Sequence, residues 1–421
     1  MHRFGERRPG RPGPAGADRT RVPSRRRTLG GAALAAAAGG LARCGPLSGR
    51  AAAQRVLQGT PSGGGDQMER ASGAADGAPA GPDQQEAAPG LKELAAPLGI
   101  WIGAAVTVAP LAGEPAYGEA VRRECSVVTP ENEMKWGPIH PGRDRYDFAR
   151  ADAIVDFARA AGIAVHGHTL VWHNQNPAWL TTGAVAPGEL EGLLREHVAA
   201  VVGRYAGRVA AWDVVNEALA DDGTLRASLW AQRLGPGYLA AAYRAAHAAD
   251  PQARLLYNDY GAEGLTRKGD AQYRLLAGLL AQGVPLHGVG FQVHVTAAGV
   301  PAEPLARNLE RLAALGLELY VTEMDVRLPT PPSDEALAAQ AAVYRSVLDV
   351  CLAQPACKGF QTWGIADRHS WIPGRYPGFG AALPLDERYA PKPAHRALGE
   401  ALARAAAGRQ SGSMLPSRRC G

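Results

Sequence analysis

Eight short apolar runs punctuate residues 100–363, and they constrain the fold more than anything else in the chain. They read "IWIGAAV" (100–106), "CSVVT" (125–129), "IAVHGH" (163–168), "VAAWDVV" (209–215), "RLLYN" (254–258), "HGVGFQ" (287–292), "LELYVT" (317–322) and "KGFQTW" (358–363). Most intervals between them hold an Ala-, Leu- and Arg-rich stretch, such as "FARADAIVDFARAAG", "GELEGLLREHVAAVVGRYAG" and "GYLAAAYRAAHAAD". Apolar residues there recur at three- and four-residue steps, the spacing of a helix face. A strand–helix unit repeated eight times predicts a parallel sheet closed on itself, an α/β fold of the (β/α)8 TIM barrel type. An open, doubly wound sheet is the alternative. The count of eight and the lack of a Gly-rich phosphate turn after the first strand weigh against it.

A barrel places functional side chains just after each strand, on one face. The sequence is polar and aromatic at those places. Strand two is followed by "PENEMKW", strand three by "HTLVWHNQ", and strand four ends in "NE". Later strands run into "NDY", "QVH", "EMD" and "WGIADRHSW". The opposite strand ends, "RAAG" and "GRV", read as ordinary turns.

Glu217 closes the fourth strand and Glu323 the seventh. On a closed barrel they face each other across the mouth. Two carboxylates without an evident metal set are the usual equipment for cleaving a glycosidic bond. One protonates the leaving oxygen; the other attacks the anomeric carbon or activates water. Trp136, Trp172, Trp363 and Trp371 fall in the same segments and supply faces for stacking on sugar rings. Asn132, Lys135, His168, Gln292 and His294 supply polar groups for hydroxyls. The pair His166 and His168 permits a rival, a metal-dependent barrel hydrolase, with His294, Asp325 and Asp367 as further ligands. Against it, the pair lies on strand three rather than strand one, and no bridging Lys is evident. No cofactor and no metal are expected.

The chain's charge is unevenly placed. Residues 1–50 carry 11 Arg against Glu6 and Asp18, which leaves the other 371 residues at −4 within a total of +5. The body is mildly acidic, so nucleic acid is not expected as a partner. The basic start is itself informative. Arg25, Arg26 and Arg27 precede an apolar run from Leu29 to Leu41, and "AAA" (51–53) follows. That is the order of an export signal of twin-arginine type, assigned to residues 1–53. The run is too short to cross a bilayer, and no other segment reads as a membrane span. Residues 54–90 are poor in large apolar residues and read as a disordered linker. The folded domain is assigned to residues 91–405, with a loose tail over 406–421. In an exported protein Cys351 and Cys357 are expected to form a disulfide, with two reduced thiols the alternative. Cys125 and Cys420 look unpaired, and a monomer is expected.

Seven segments together, "TPENEMKW", "GHTLVWHNQNPAW", "WDVVNEAL", "YNDY", "GVGFQVH", "VTEMDV" and "WGIADRHSW", resemble family 10 of the glycoside hydrolases, the endo-β-1,4-xylanases. "PLDERYAPKPAH" fits the end of that pattern, and the resemblance spans about residues 91–405. It implies an enzyme that cleaves xylan with retention of configuration, and the signal-like residues 1–53 make it a secreted or periplasmic one. Glu217 matches the general acid/base and Glu323 the nucleophile. Asn216 matches the residue that bonds the sugar 2-hydroxyl, and His294 a histidine on the nucleophile held by Asp325. Glu131, Asn132, Lys135, His168, Trp172 and Gln292 match residues lining the glycone subsites, which Trp363 and Trp371 cap. Cys351 and Cys357 match a disulfide seen in many members. Two positions depart from the pattern: His166 stands where Arg is frequent, and Gly261 where Asn is usual. A neighbouring glucanase or mixed specificity, or a non-catalytic xylan-binding barrel, remain the other readings. In the implied mechanism, Glu323 needs hydrogen-bond donors that favour its ionised form. Glu217 needs partial desolvation and the nearby charge of Glu323 to keep its proton.

Overall fold

The computed structural model describes residues 88–413, apart from residue 184. The expected export signal (1–53) lies outside the described residues, as do most of the linker (54–90) and the end of the tail. Among the described residues ten strands occur in chain order: β1 Trp101–Val106, β2 Val127–Pro130, β3 Ala164–Val171, β4 Ala211–Asn216, β5 Arg254–Asp259, β6 Gly288–Phe291, β7 His294–Thr296, β8 Glu318–Pro329, β9 Cys357–Thr362 and β10 Phe379–Gly380. Eight of them pair in parallel, in the order β1-β2-β3-β4-β5-β6-β8-β9, and β9 pairs back onto β1. The sheet is therefore closed, and each of the eight apolar runs contributes one barrel strand.

The strands are rich in apolar residues because both faces are covered, by the barrel interior and by the outer helices. Every residue of β2, β4 and β6 is buried. The three helices read from periodicity are present as Ala149–Ala160, Pro187–Arg204 and Gly237–Ala249. Where a helix must start cleanly, a side-chain oxygen takes up an orphan amide. Ser228 accepts from the amide of Ala231, Thr266 from Gly269, and Ser333 from Ala336.

Three features depart from the sequence reading. β8 continues seven residues past Thr322, because its far half pairs with β7 on one side and β10 on the other. The helix Pro393–Ser413 carries on beyond the expected boundary at 405. Leu398, Ala401 and Leu402 on it are buried, and Ala405 and Ala406 still pack against the core. The helix Asp334–Ala353 is, among the described residues, long and apolar enough to cross a membrane by length and composition. It is a wall helix here: Tyr344, Val347, Leu348 and Cys351 are buried, and Gln340 Nε2 donates to the Val326 carbonyl at 2.7 Å. Its last turn is tied to β9 by the disulfide Cys351–Cys357. Cys125 is a free, buried thiol.

Candidate active site

Glu217 is the first residue after β4, and the chain turns sharply there. Its φ is +56°, a conformation that costs a non-glycine residue about 1–3 kcal/mol. Two bonds hold it. The Glu217 amide donates to the Asn258 carbonyl at 2.8 Å, and Arg226 Nε donates to the Glu217 carbonyl at 2.9 Å. The turn ends the buried strand and aims the carboxylate into the mouth of the barrel. There Oε2 accepts from Trp172 Nε1 at 2.9 Å and Oε1 from Gln292 Nε2 at 3.1 Å. His173 Nδ1 lies 3.5 Å from Oε2.

Glu323 lies within β8 and is nearly buried, with 5% of its side chain exposed against 11% for Glu217. Oε1 accepts from Asn258 Nδ2 at 2.6 Å, and Oε2 faces His294 Nε2 at 3.1 Å. The other nitrogen of His294 faces Asp325 Oδ2 at 2.8 Å. Carboxylates only accept, so both imidazole nitrogens carry hydrogen and His294 is a cation. Burial works against that charge, but Asp325 and Glu323 outweigh it and raise the His294 pKa well above the ordinary imidazole value. Trp371 Nε1 also donates to Asp325 Oδ2, at 2.8 Å, so the indole and the histidine share one anchor.

Hydrogen bonds bridge the two carboxylates. Gln292 Nε2 reaches Glu217 Oε1 and Asn216 Oδ1, each at 3.1 Å. Asn258 Nδ2 reaches the same Asn216 oxygen at 3.1 Å and Glu323 at 2.6 Å. Asn258, in "YNDY", carries no signal of a role in the linear sequence; only the pairing of β5 between β4 and β6 brings it beside both glutamates. Room for it comes from Gly290, where a Cβ would meet Asn258 Oδ1 at 2.3 Å.

The rest of the expected set lines the same cleft, of about 650 Å³. Glu131, Asn132, Lys135, His168, Trp172, Trp363 and Trp371 are all on its walls. Lys135 is buried between the faces of Trp172 and Trp363, 4.8 and 5.8 Å from their centroids. Its Nζ donates to Asn132 Oδ1 at 3.2 Å. Burial lowers the Lys135 pKa, although Glu323, Glu131 and Glu217 all pull it back up. Burial also raises that of Glu131. Trp136 does not join them. It is buried in the wall, its Nε1 donates to the Leu170 carbonyl, and it stacks on His197 at 3.6 Å. The short turn after Lys135 places it in the wall, off the cleft lining.

His166 and His168 belong to a different device from a metal pair. Asp213, missed in the sequence reading, sits between them, with Oδ1 at 2.9 Å from His166 Nε2 and Oδ2 at 2.8 Å from His168 Nδ1. On the far side Gln361 Nε2 donates to His166 Nδ1 at 2.9 Å, and Thr129 Oγ1 donates to Gln361 Oε1 at 2.9 Å. His168, Asp213 and Glu323 place ligand-type atoms within 4.8 Å of one another. Those atoms do not fit a cation well, because each Asp213 oxygen accepts an imidazole N–H and the nitrogens concerned have no free lone pair. Asp367 is elsewhere, in a buried ion pair with Lys392 at 2.8 Å. Gly261 has φ +67°, a conformation that Asn also tolerates, so backbone geometry accounts for that departure.

A closed parallel barrel with two glutamates at its mouth, a cationic histidine on one of them and tryptophans on the cleft walls defines a glycosidase-type site. The family model described as "Glycosyl hydrolase family 10" matches residues 90–401. The chain belongs to that family and is a glycoside hydrolase. It is 45% identical over 313 residues to endo-1,4-beta-xylanase B of Thermotoga neapolitana, covering 74% of this chain and 90% of that protein. The structure of native xylanase 10B from Thermotoga maritima superposes with a TM-score of 0.75 at 46% identity, over 76% of this chain and all of that one. Xylanase 10B from Thermotoga petrophila in complex with xylobiose gives a TM-score of 0.75 at 44% identity, over 77% of this chain and all of that one.

Proposed function

We propose that the protein is an exported endo-1,4-β-xylanase that hydrolyses internal bonds of xylan by a retaining double displacement. One observation carries the reading: Glu323 is held between Asn258 and the His294 cation, while Glu217 stands on the same cleft at the other end of the Asn216 bridge. Glu323 is surrounded by donors, as a nucleophile that must stay ionised requires. Its oxygen attacks the anomeric carbon, the bond to the leaving oxygen breaks, and Glu217 gives that oxygen a proton. The negative charge of Glu323 is lost in the glycosyl-enzyme. Glu217 then takes a proton from water, whose oxygen displaces Glu323 and restores the starting state.

The xylan specificity is supported by the xylanase relatives and by the xylobiose complex of one of them. Export is supported by the disulfide and by the signal-like residues 1–53. A reducing-sugar assay on xylan, carboxymethylcellulose and mannan tests the substrate, with xylan expected to give the dominant rate. Dominant release from either other polymer overturns that choice. Glu217→Ala and Glu323→Ala are each expected to leave less than a few per cent of activity. NMR of the first product is expected to show the β-anomer, and azide to restore part of the Glu217→Ala rate on a substrate with a good leaving group. An α-product without azide rescue overturns retention. Secretion fails as a reading if deleting residues 1–53 leaves the location of the enzyme unchanged.

A further inference from the structure

Two arginines on the cleft wall have no place in this chemistry. Arg327 and Arg375 line the catalytic cleft beside Trp371 and Tyr376. Most arginines that approach another element in this protein end on a carboxylate: Arg204 on Asp152, Arg254 on Glu318, Arg311 on Asp270. Among the described residues, neither Arg327 nor Arg375 has such a partner. The one polar side-chain contact of the pair is Arg327 Nη1 to the Val295 carbonyl, at 3.4 Å. Both guanidinium groups instead lie against one ring, 4.4 and 5.1 Å from the centroid of Tyr376. The acidic groups nearby are already occupied. Glu323 and Asp325 share the His294 cation, and Asp325 also takes the Trp371 N–H. At another part of the cleft Asp221 accepts from the Tyr260 hydroxyl at 2.7 Å.

The placement is specific. Tyr376 packs edge-on against Trp371, with centroids 5.9 Å apart, and Trp371 packs edge-on against His294 at 5.1 Å. The register of β7 on β8 sets Arg327 two residues beyond Asp325, opposite Thr296. The two positive groups therefore stand one ring beyond Trp371, the residue that the xylanase reading places over a sugar. A chain of unsubstituted xylose is neutral and has no use for two unpaired cations there. Guanidinium groups bind carboxylates through paired N–H donors, and packing of both on the Tyr376 ring restricts their movement.

We propose that Arg327 and Arg375 form a subsite for the carboxylate of a hexuronic acid carried as a side group on the xylan chain, on the Trp371 side of the cleaved bond. The proposal rests on the xylanase reading above. It makes the enzyme selective for acidic xylan over its neutral forms.

The test compares three substrates on the full chain: glucuronoxylan, the same polymer with its carboxyl groups reduced to alcohols, and unsubstituted xylohexaose. The wild type is expected to show a several-fold higher kcat/KM on the acidic polymer than on the reduced one. Product masses should place the uronic acid on the glycone fragment. The preference should shrink in high salt. Arg375→Ala and Arg327→Gln each lose about fivefold of kcat/KM on glucuronoxylan, and the double variant roughly tenfold, with xylohexaose kinetics within twofold of wild type. Equal rates on the native and reduced polymers, or parallel losses on acidic and neutral substrates, overturn the subsite. Binding of the two polymers to inactive Glu323→Ala separates the two readings. A preference for the acidic polymer that disappears with Arg327→Gln, in an enzyme whose wild type does not hydrolyse xylohexaose, keeps the acidic subsite and removes the xylanase assignment. Hydrolysis of xylohexaose without any such preference does the reverse.

Discussion

Asn258 shows what a single residue at the barrel mouth must do. One side-chain nitrogen serves both Asn216 and Glu323, so the alignment of both side chains depends on the same atom. The Asn258 oxygen accepts from Thr322 Oγ1 at 2.7 Å, which fixes the amide orientation. Asn258→Ala is expected to lower kcat by about 10²-fold, comparable to losing one preorganised donor, with little change in KM. Steady-state kinetics with a circular-dichroism check of folding would reveal it; an unchanged kcat removes Asn258 from the machinery. Gly290→Ala attacks the same residue from behind, because the new methyl group meets Asn258 Oδ1. A loss of about 1–3 kcal/mol in stability is expected, with a fall in kcat alongside. Thermal melts and rates on one preparation measure both. Glu217 and Glu323 were legible as carboxylates closing the fourth and seventh apolar runs, although β8 itself runs on past Glu323. Asn258 and Asp213 were not, because each works by touching residues on neighbouring strands, and strand register is invisible in a linear pattern.

At the level of elements, the eight strands were readable because each is a short apolar run between helices with a clear period. Their ends were less so. β8 runs to Pro329 because β7 and β10 offer it partners after the barrel proper has ended, and no local composition announces that. Trp136 was misread for a related reason: its segment belongs to the mouth, but the turn following Lys135 directs the ring into the wall. The disulfide closes a short loop, six residues apart in sequence, between the helix Asp334–Ala353 and β9. Loop-closure entropy for such a span is worth about 2 kcal/mol. The double change Cys351→Ser and Cys357→Ser is therefore expected to lower Tm by several degrees and leave kcat unchanged, since both sulfurs are buried in the wall and absent from the cleft lining. Differential scanning calorimetry with and without reductant tests this; a Tm insensitive to both would mean that the bridge adds nothing to stability.

For the molecule as a whole, buried ionisable groups set the response to acid. Asp213 and Glu124 are both held at about 2. Burial alone would raise each, but His166 and His168 reverse it at Asp213, and His395 with the Leu91 amide does so at Glu124. Unfolded, such groups titrate at about 4. A carboxylate lowered by folding adds stability that is complete above the unfolded value and lost as pH falls toward the folded one. These two add roughly 2–3 kcal/mol each. His140 and His197 also oppose acid: burial lowers both, His197 well below the usual value, so the unfolded chain takes up protons first below about pH 6.5. Asp259 has the opposite sign. Burial outweighs Lys268 and raises it to about 6, so its charge costs stability at neutral pH and that cost fades as pH falls from 6 to 4. The raised pKa of His294 contributes fully below about 6.5 and is lost only as pH rises through its folded value, so it adds nothing to acid unfolding. Between pH 6.5 and 4.5 the histidine pair and Asp259 oppose each other, and Tm is expected to change by only a few degrees. Below about pH 4 Asp213 and Glu124 dominate, and Tm should fall steeply. Glu124→Gln removes one of the two, so its melting curve should start lower at pH 7 and fall less between pH 4 and 2. A variant that parallels the wild type across that range would assign the acid loss to groups other than Glu124.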